Sequence, residues 1–293
     1  MNPRYFLALA LPVLSACSSS STPPAQATVA DAAAPPVMYD AKGCVMAPDW
    51  VAPQAVCVRT LSATVVDEMA KPISILVTTA CGDGCSFGRT DATGRTSMSV
   101  HRYMTKPALM LHGHSTYASY YVLLETEGDV DKGMVMLPTM PAAGLPIPED
   151  GLAHDVTAGD VTISLPAGGS VLIDKTELIE VPEQQFRSLP VPVAKAPPFV
   201  DPALKITVLY ALTPFATKLD PGVALSVANT AMLPTGAAVE FFIQGTDVKD
   251  KFGPFGRFNK MADGHVSADG TKITTDAGQS ITELTWLGIR VKQ

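Results

Sequence analysis

The chain has 293 residues, of which 17% are charged and 47% are apolar, and its formal net charge at pH 7 is −7. This length accommodates about two domains of ordinary size, and the apolar fraction is sufficient for a substantial buried core. The negative charge argues against a nucleic-acid-binding protein, which needs a basic surface, and no segment after residue 16 has a continuous apolar run long enough to cross a membrane as a helix.

Residues 1–16 have the layout of a secretory signal peptide. Arg4 precedes the apolar run 5–14, which is too short to span a bilayer but suits the central region of such a signal. The following tetrad Leu14-Ser15-Ala16-Cys17 resembles the lipobox of bacterial lipoproteins. The resemblance implies a diacylglyceryl group on the Cys17 thiol; the alternative is an ordinary cleaved signal with an unrelated cysteine. Ser18, rather than Asp, then favours the outer membrane by the sorting rule of enteric lipoproteins.

Four cysteines remain once Cys17 is assigned to the lipid. An even number in an exported chain predicts two disulfides, for which three connectivities are possible. We favour Cys44–Cys57 and Cys81–Cys85 because each closes a short local loop. The rival interpretation is a metal site in Cys81-Gly-Asp-Gly-Cys85, although thiolate sites usually combine closer cysteines with further Cys or His ligands.

Residues 17–56 are predicted to be the lipidated N-terminus and a flexible tether, because 18–37 consist mainly of Ser, Thr, Pro and Ala. Short alternating segments separated by turn residues then occupy 57–138, which predicts a small β-sandwich. The predicted strands include 72–79, 95–100, 107–111, 120–124 and 133–137.

This region resembles the carboxypeptidase regulatory-like domain, a transthyretin-like β-sandwich, over residues 58–137. The resemblance depends on Val65-Val66-Asp67, Lys71-Pro72-Ile73, the turn Thr90-Asp91-Ala92-Thr93-Gly94, Tyr117 and Gly133-Met-Val-Met-Leu137. Ala70-Lys71 replaces the usual Gly before the Pro-Ile step, and the segment from Cys81 to Cys85 is additional. The family module has no catalytic residues of its own, so the resemblance implies none here.

A Pro-, Ala- and Gly-rich linker is predicted at 139–155, followed by a second β-domain at 156–293. Three segments of this part resemble a ZU5-like domain of bacterial surface proteins: Leu165-Pro-Ala-Gly168, Leu233-Pro-Thr-Gly236 and Gly264-His-Val-Ser-Ala-Asp-Gly-Thr271. The resemblance implies interaction or scaffolding. Predicted strands lie at 160–165, 170–173, 204–210, 223–227, 238–244, 256–260, 264–267, 272–275 and 286–291, and the Pro-rich stretch 177–202 is interpreted as an insertion or a long loop.

One aromatic loop is the candidate binding patch: Phe252, Phe255, Arg257 and Phe258. If exposed, it would offer an apolar surface to a protein or a glycan. The alternative is a loop folded onto the sandwich, and we favour that alternative.

One pair of histidines and two pairs of aspartates each have a functional and a structural interpretation. His112 and His114 share one side of a strand end and could begin a metal site, but solvent-facing histidines fit the pattern better. The pairs Asp129/Asp131 and Asp247/Asp250 match no calcium loop, and turn capping explains them better. We therefore expect no metal and no cofactor.

No nucleophile elbow, HExxH, Walker A or dinucleotide motif occurs in the sequence, so we expect a non-enzymatic protein. The overall expectation is an all-β protein of two β-sandwich domains, anchored in the outer membrane through its lipid. It would act as a binding or scaffolding module for an unidentified envelope protein or glycan. The alternative is an accessory carbohydrate-binding lipoprotein whose platform includes Trp50 or Trp286.

Overall fold

A computed structural model describes residues 37–45, 54–247, 249 and 254–293. Within this described part, the secondary structure consists of 19 β-strands and three short 3-10 helices, which confirms the all-β prediction. None of the helices in the same part is long and apolar enough to cross a membrane. The signal segment 1–16, Cys17 and most of the predicted tether lie outside the described residues.

The first half of the body contains two sheets that face each other. A three-stranded sheet has the order β4-β1-β7, with β7 parallel to β1, and a four-stranded sheet has the order β3-β2-β5-β6. The strands are β1 (Val56–Val66), β2 (Val77–Cys81), β3 (Cys85–Arg89), β4 (Arg95–Met104), β5 (Ala108–Leu111), β6 (Tyr120–Leu123) and β7 (Gly128–Met136). This arrangement is the small sandwich that the alternating segments predict.

The turn before β4 shows why this region folds as its sequence predicts. The Asp91 carboxylate accepts hydrogen bonds from the backbone N–H groups of Thr93 (2.8 Å) and Arg95 (3.0 Å). Gly94 has a φ of 76°, and a Cβ there would lie 2.4 Å from the Val65 carbonyl oxygen. Only glycine fits this position, so the Asp and the Gly together specify the turn.

The prediction of a strand at 72–79 is wrong for residues 72–76. Ile75 has a φ of 64° and its side chain is 72% exposed, so the chain turns there and β2 begins only at Val77. Ile73 and Leu76 are both buried, although alternation places them on opposite faces. A β-branched residue at positive φ is rare, and local alternation does not anticipate it.

The second half is built around one large sheet. Its strand order is β8-β12-β13-β19-β15-β16-β17-β14-β10-β9, and β11 and β18 both pair with β14 outside this path. The strands are β8 (Leu145–Pro146), β9 (His154–Ala158), β10 (Val161–Leu165), β11 (Ser170–Leu172), β12 (Gln185–Pro190), β13 (Val208–Thr213), β14 (Thr217–Ala228), β15 (Ala238–Gln244), β16 (Phe258–Val266), β17 (Lys272–Thr275), β18 (Ile281–Leu284) and β19 (Trp286–Val291).

Two predictions for this half need correction. The stretch 177–202, expected to be an insertion or loop, contributes β12, which pairs with β8 and β13 inside the sheet. The two strands expected at 256–260 and 264–267 form the single strand β16, which contains a register shift opposite Phe241 and Phe242. Such an irregularity interrupts the alternation that sequence patterns depend on.

Both favoured disulfides are present. Cys44 is bonded to Cys57, with Cα atoms 6.0 Å apart, and Cys81 is bonded to Cys85, with Cα atoms 4.2 Å apart. Cys81 and Cys85 lie opposite each other in the β2–β3 hairpin. The rival metal site in this hairpin is therefore excluded, because both thiols are used in the bond.

One hydrophobic core extends over both halves. It includes Tyr120 of the four-stranded sheet and Trp286 of the large sheet, whose ring centroids are 5.7 Å apart. Residues Met38–Gln293 accordingly form one compact unit. The boundary at 139–155 stays a prediction; within it, β8 pairs with β12.

Candidate functional site

The aromatic loop that the sequence singles out is folded onto the body. Phe255 and Phe258 are buried, with exposed fractions of 4% and 8%. The Phe255 ring packs 4.8 Å from that of Tyr121, measured between centroids. Arg257 is exposed and forms an ion pair with Glu125. Phe252 lies outside the described residues. The described part of the loop thus follows the second of the two interpretations, the folded loop.

Trp286 cannot serve as a glycan platform, because it is only 1% exposed. Its indole Nε1 donates a hydrogen bond of 2.9 Å to the Ser119 carbonyl oxygen. This corrects the platform suggested for Trp286; Trp50 lies outside the described residues.

The structure brings His112 and His114 together, with ring centroids 6.3 Å apart, but each has a protein partner. His112 Nε2 lies 3.1 Å from the Thr79 hydroxyl, and His114 Nδ1 lies 2.9 Å from Oε1 of the buried Glu183. No group of three or more His, Cys, Asp or Glu side chains that could hold a metal occurs among the residues that the structure describes.

The aspartate pairs also have structural partners. Asp129 pairs with Arg59 (2.7 Å) and Asp131 with Arg95 (3.1 Å). The Asp247 carboxylate accepts from the backbone N–H of Lys249 at 2.9 Å, as in turn capping, and Asp250 lies outside the described residues.

Burial lowers the pKa of His112 to about 4, and the neighbouring His114 adds to the effect. The imidazole is therefore neutral in the folded protein at pH 7 and stays neutral well below the pKa of about 6.5 expected in an unfolded chain. The folded state consequently binds fewer protons than the unfolded state between these two values. The contribution of neutral His112 to the free energy of unfolding is therefore complete above pH 6.5 and is lost as the pH falls towards 4.

We expect the free energy of unfolding to fall between pH 7 and pH 4.5 by about 2–3 kcal/mol more in the native chain than in His112→Gln. Glutamine keeps a polar group near Thr79 but cannot titrate. Urea denaturation at both pH values measures the difference, and His265→Gln, a substitution of a half-exposed histidine, serves as the control. An identical pH dependence in the native chain and His112→Gln would contradict this assignment.

A cleft of about 640 Å³, which we term the junction cleft, lies where the two halves meet. Its volume is within the range usual for ligand sites. The lining comes from β6, the segment before β9, β11 and the loop after it, the β13–β14 turn, β14 and the segment after β15. Its residues are Tyr121, Glu149, Val171, Leu172, Ile173, Asp174, Lys175, Glu177, Leu178, Phe215, Ala216, Lys218, Thr246 and Asp247.

Tyr121 is held firmly in this cleft. The buried Gln244 side chain donates to the Tyr121 carbonyl oxygen at 3.0 Å. The rings of Phe255 and Phe215 lie 4.8 Å and 5.8 Å from the Tyr121 ring. Burial raises the pKa of Tyr121 to about 12, with a further contribution from Glu177, so its hydroxyl is a neutral donor at physiological pH. The cleft thus contains a preorganised aromatic group with a polar end.

A buried ion pair forms the back of the cleft. Glu283 is fully buried and pairs with Lys218, whose side chain is 29% exposed. Thr246 connects them, since its hydroxyl accepts from Lys218 Nζ at 2.7 Å and donates to Glu283 Oε2 at 3.1 Å. The register Lys218↔Glu283 between β14 and β18 places the two charges opposite each other. Backbone strain lies next to this pair, because Ala216 has a φ of 63°.

Glu149 and the segment 174–177 give the lining more negative than positive charges. Lys175 Nζ is paired with Glu149 at 2.8 Å. Asp174 accepts hydrogen bonds within its own turn, from the N–H and hydroxyl of Thr176. Desolvation, followed by the charge of Asp174, raises the pKa of the Glu177 carboxyl. This direction is the one expected of a carboxyl in a negative, partly dehydrated environment.

The chain around the segment 174–177 also exposes aliphatic side chains. Leu172, Ile179 and Val181 are 61%, 77% and 70% exposed. Leu172 lines the cleft, and Ile179 directly follows the lining residue Leu178. Two hydrogen bonds hold the segment against the 112–115 turn, from Ser115 Oγ to Glu180 (2.7 Å) and between His114 and Glu183 (2.9 Å). We term Leu172, Ile179 and Val181 the apolar rim. The two hydrogen bonds fix the part of the segment that carries Ile179 and Val181.

Sequence reasoning missed this cleft because its residues are distributed from position 121 to 247. The one local signal is Glu283, the single charged residue in the mainly apolar stretch 281–289. A charge in such a stretch requires a partner, but the sequence does not identify Lys218 as that partner.

No protein-family model matches the chain, and no curated protein matches it. Among solved structures, the chain is similar to a candidate carbohydrate-binding protein of Bacteroides uniformis, with 6% identity, 80% of each chain covered and a TM-score of 0.22. It is also similar to the TIE protein of Bacillus anthracis, with 9% identity and a TM-score of 0.24, covering 81% of this chain and 49% of that one. A DUF3823 family protein of Parabacteroides merdae shows 9% identity and a TM-score of 0.19, with 78% of this chain and 98% of that chain covered. Similarities at these TM-scores support no conclusion about function.

Proposed function

We propose that this chain is a non-enzymatic binding module anchored to the outer membrane of a bacterial cell, and that it binds its partner at the junction cleft. The observation that carries the proposal is the construction of the cleft. Tyr121 of the first half and residues of the second half line one concave surface. Gln244 holds Tyr121, and the Lys218–Glu283 pair fixes Lys218 in the lining. A site with preformed walls loses little conformational entropy on binding.

The anchor is proposed on the lipobox-like tetrad ending at Cys17 and the apolar run before it. The two disulfides support an exported location, because such bonds persist in oxidising compartments. Several acyl chains on one cysteine would make the anchoring durable.

The resemblances to a carboxypeptidase regulatory-like domain over 57–138 and a ZU5-like domain over 156–293 remain part of this proposal. The turn from Asp91 to Gly94 and the two facing sheets of the first half support the former. Both resemblances imply binding or scaffolding.

A protein partner is favoured over a glycan by the exposed aliphatic rim of Leu172, Ile179 and Val181. Leu172 lines the cleft and the other two lie on the chain segment that follows it, and exposed apolar side chains beside a site are typical of protein interfaces. The second candidate, carbohydrate binding, depends on Tyr121, whose ring and hydroxyl resemble the parts of a saccharide subsite.

The test uses a photo-crosslinking amino acid at Leu172 of the full-length chain, expressed in the cells from which it comes. We expect covalent adducts with one envelope protein, identified by mass spectrometry, in the membrane fraction. The matched control places the same amino acid at Met232, which is 86% exposed and does not line the cleft. A Cys17→Ser chain should leave the membrane fraction and lose the adduct.

Equal adducts at both positions, or no protein adduct at Leu172, would refute a partner at the junction cleft. Retention on a glycan array that Tyr121→Ala abolishes, without any protein adduct, would establish the carbohydrate alternative instead. A Cys17→Ser chain that stays with the membrane would refute the lipid anchor.

A further inference from the structure

We infer that the junction cleft receives a basic side chain, Lys or Arg, of a partner polypeptide, whose neighbouring apolar residues pack on the rim. This inference rests on the proposed function and names the chemistry of the partner.

The charges on the described walls of the cleft do not cancel. Both lysines are already neutralised, Lys175 by Glu149 and Lys218 by the fully buried Glu283. The carboxylates of Asp174, Glu177 and Asp247 remain on the same walls. A cationic group entering the cleft is therefore favoured by the local field, and an anionic one is opposed.

The composition of the lining suits a long basic side chain. It includes the half-buried ring of Tyr121 and the buried ring of Phe215, whereas the carboxylates of Asp174 and Glu177 are exposed. Lys and Arg pack their methylene stems on apolar surface and place the charged end among acceptors. The raised pKa of Glu177 is consistent with a negative cleft, and a bound cation would lower that pKa.

The rim indicates that the cation belongs to a polypeptide. Leu172 is 61% exposed and Ile179 is 77% exposed, on the same segment as the carboxylates of Asp174 and Glu177. An amino sugar would supply the charge but would leave these aliphatic groups in water. A peptide with Arg or Lys beside Leu or Ile covers both features, because its charge faces the carboxylates and its aliphatic group packs on the exposed apolar side chains.

The first experiment pans a random dodecapeptide phage library against the full mature chain. We expect the selected peptides to be enriched in Arg or Lys next to aliphatic residues. A synthetic copy of the best peptide is then titrated by calorimetry, together with a version in which citrulline, the uncharged analogue, replaces arginine (or acetyl-lysine replaces lysine). The uncharged version should bind at least tenfold more weakly.

The variant Glu177→Gln/Asp247→Asn should weaken the charged peptide about tenfold and leave the uncharged one nearly unchanged. Asparagine retains an oxygen that can accept from the Lys249 N–H, and Glu177 is exposed, so we expect the fold to be preserved. The matched control is Asp155→Asn, which removes an exposed carboxylate of β9 that does not line the cleft.

Selection of no peptide, selection without basic residues, or equal binding of the charged and uncharged peptides would overturn the inference. Binding of a glucosamine trimer that the double variant abolishes, without peptide selection, would assign the cleft to an amino sugar and also overturn it. In any of these cases, a protein adduct confined to Leu172 would still leave the proposed function standing, because that readout does not depend on charge.

Discussion

Replacing Trp286 with alanine is expected to lower the free energy of unfolding by about 4 kcal/mol. Trp286 is 1% exposed, and its ring lies 5.7 Å from Tyr120 and 5.6 Å from Phe199. The substitution leaves a cavity among these rings and removes the hydrogen bond to the Ser119 carbonyl oxygen. Because that bond joins β19 to the segment before β6, the loss weakens the contact between the two halves.

The matched variant for this prediction is Trp286→Phe, which keeps most of the aromatic contact but cannot donate to Ser119. We expect it to cost about 1–2 kcal/mol, the sum of one hydrogen bond and a smaller cavity. Urea denaturation followed by near-UV and far-UV circular dichroism measures both variants. A loss below 1 kcal/mol for Trp286→Ala would contradict the role of Trp286 as the central packing residue of the junction.

Replacing Arg187 with methionine is expected to cost about 2–3 kcal/mol. The guanidinium is 1% exposed and donates to the Thr213 hydroxyl (3.1 Å) and to the carbonyl oxygens of Ser115 (2.6 Å) and Pro141 (3.2 Å). These bonds connect β12 of the large sheet to the 112–115 turn of the first half. Methionine fills the volume but leaves these acceptors without the donor.

An opposing effect limits this cost. Burial lowers the pKa of Arg187, and its Nη2 has no hydrogen-bond partner among the described residues, so removing the charge recovers part of the desolvation free energy. The control Arg187→Lys keeps the charge but not the planar set of donors, and we expect it to be at least as destabilising as methionine. A methionine variant as stable as the native chain would show that desolvation outweighs the hydrogen bonds.

Arg187 also bears on the proposed binding site. Arg187 Nη1 donates to the Ser115 carbonyl oxygen, and the Ser115 hydroxyl donates to Glu180. Glu180 lies between Ile179 and Val181 of the apolar rim. We therefore expect Arg187→Met to weaken peptide binding as well as stability, whereas Glu177→Gln/Asp247→Asn should affect binding alone. The comparison separates the residues that hold the cleft from those that contact its occupant.

Local sequence chemistry determined the parts of this protein that depend on neighbouring residues. Alternation and turn residues predicted most strands of the first half, and the turn from Asp91 to Gly94 forms as its side chains require. The short spacings of Cys44–Cys57 and Cys81–Cys85 favoured the connectivity that is found. The signal and the Cys17 lipid site are likewise read from contiguous residues, and they remain predictions.

Only the tertiary structure decided which side chains meet. The sequence offers Trp286 as part of a glycan platform, yet packing buries it, and packing also buries Phe255 and Phe258, for which burial is the favoured interpretation. The sequence predicts an insertion or a long loop at 177–202, whereas this stretch contributes β12 to the large sheet. The junction cleft brings Tyr121, Lys218 and Glu283 together through sheet order, which depends on contacts between residues far apart in the chain. Periodicity indicates which face of a strand is apolar, but the partner that covers that face is fixed by the sum of long-range packing.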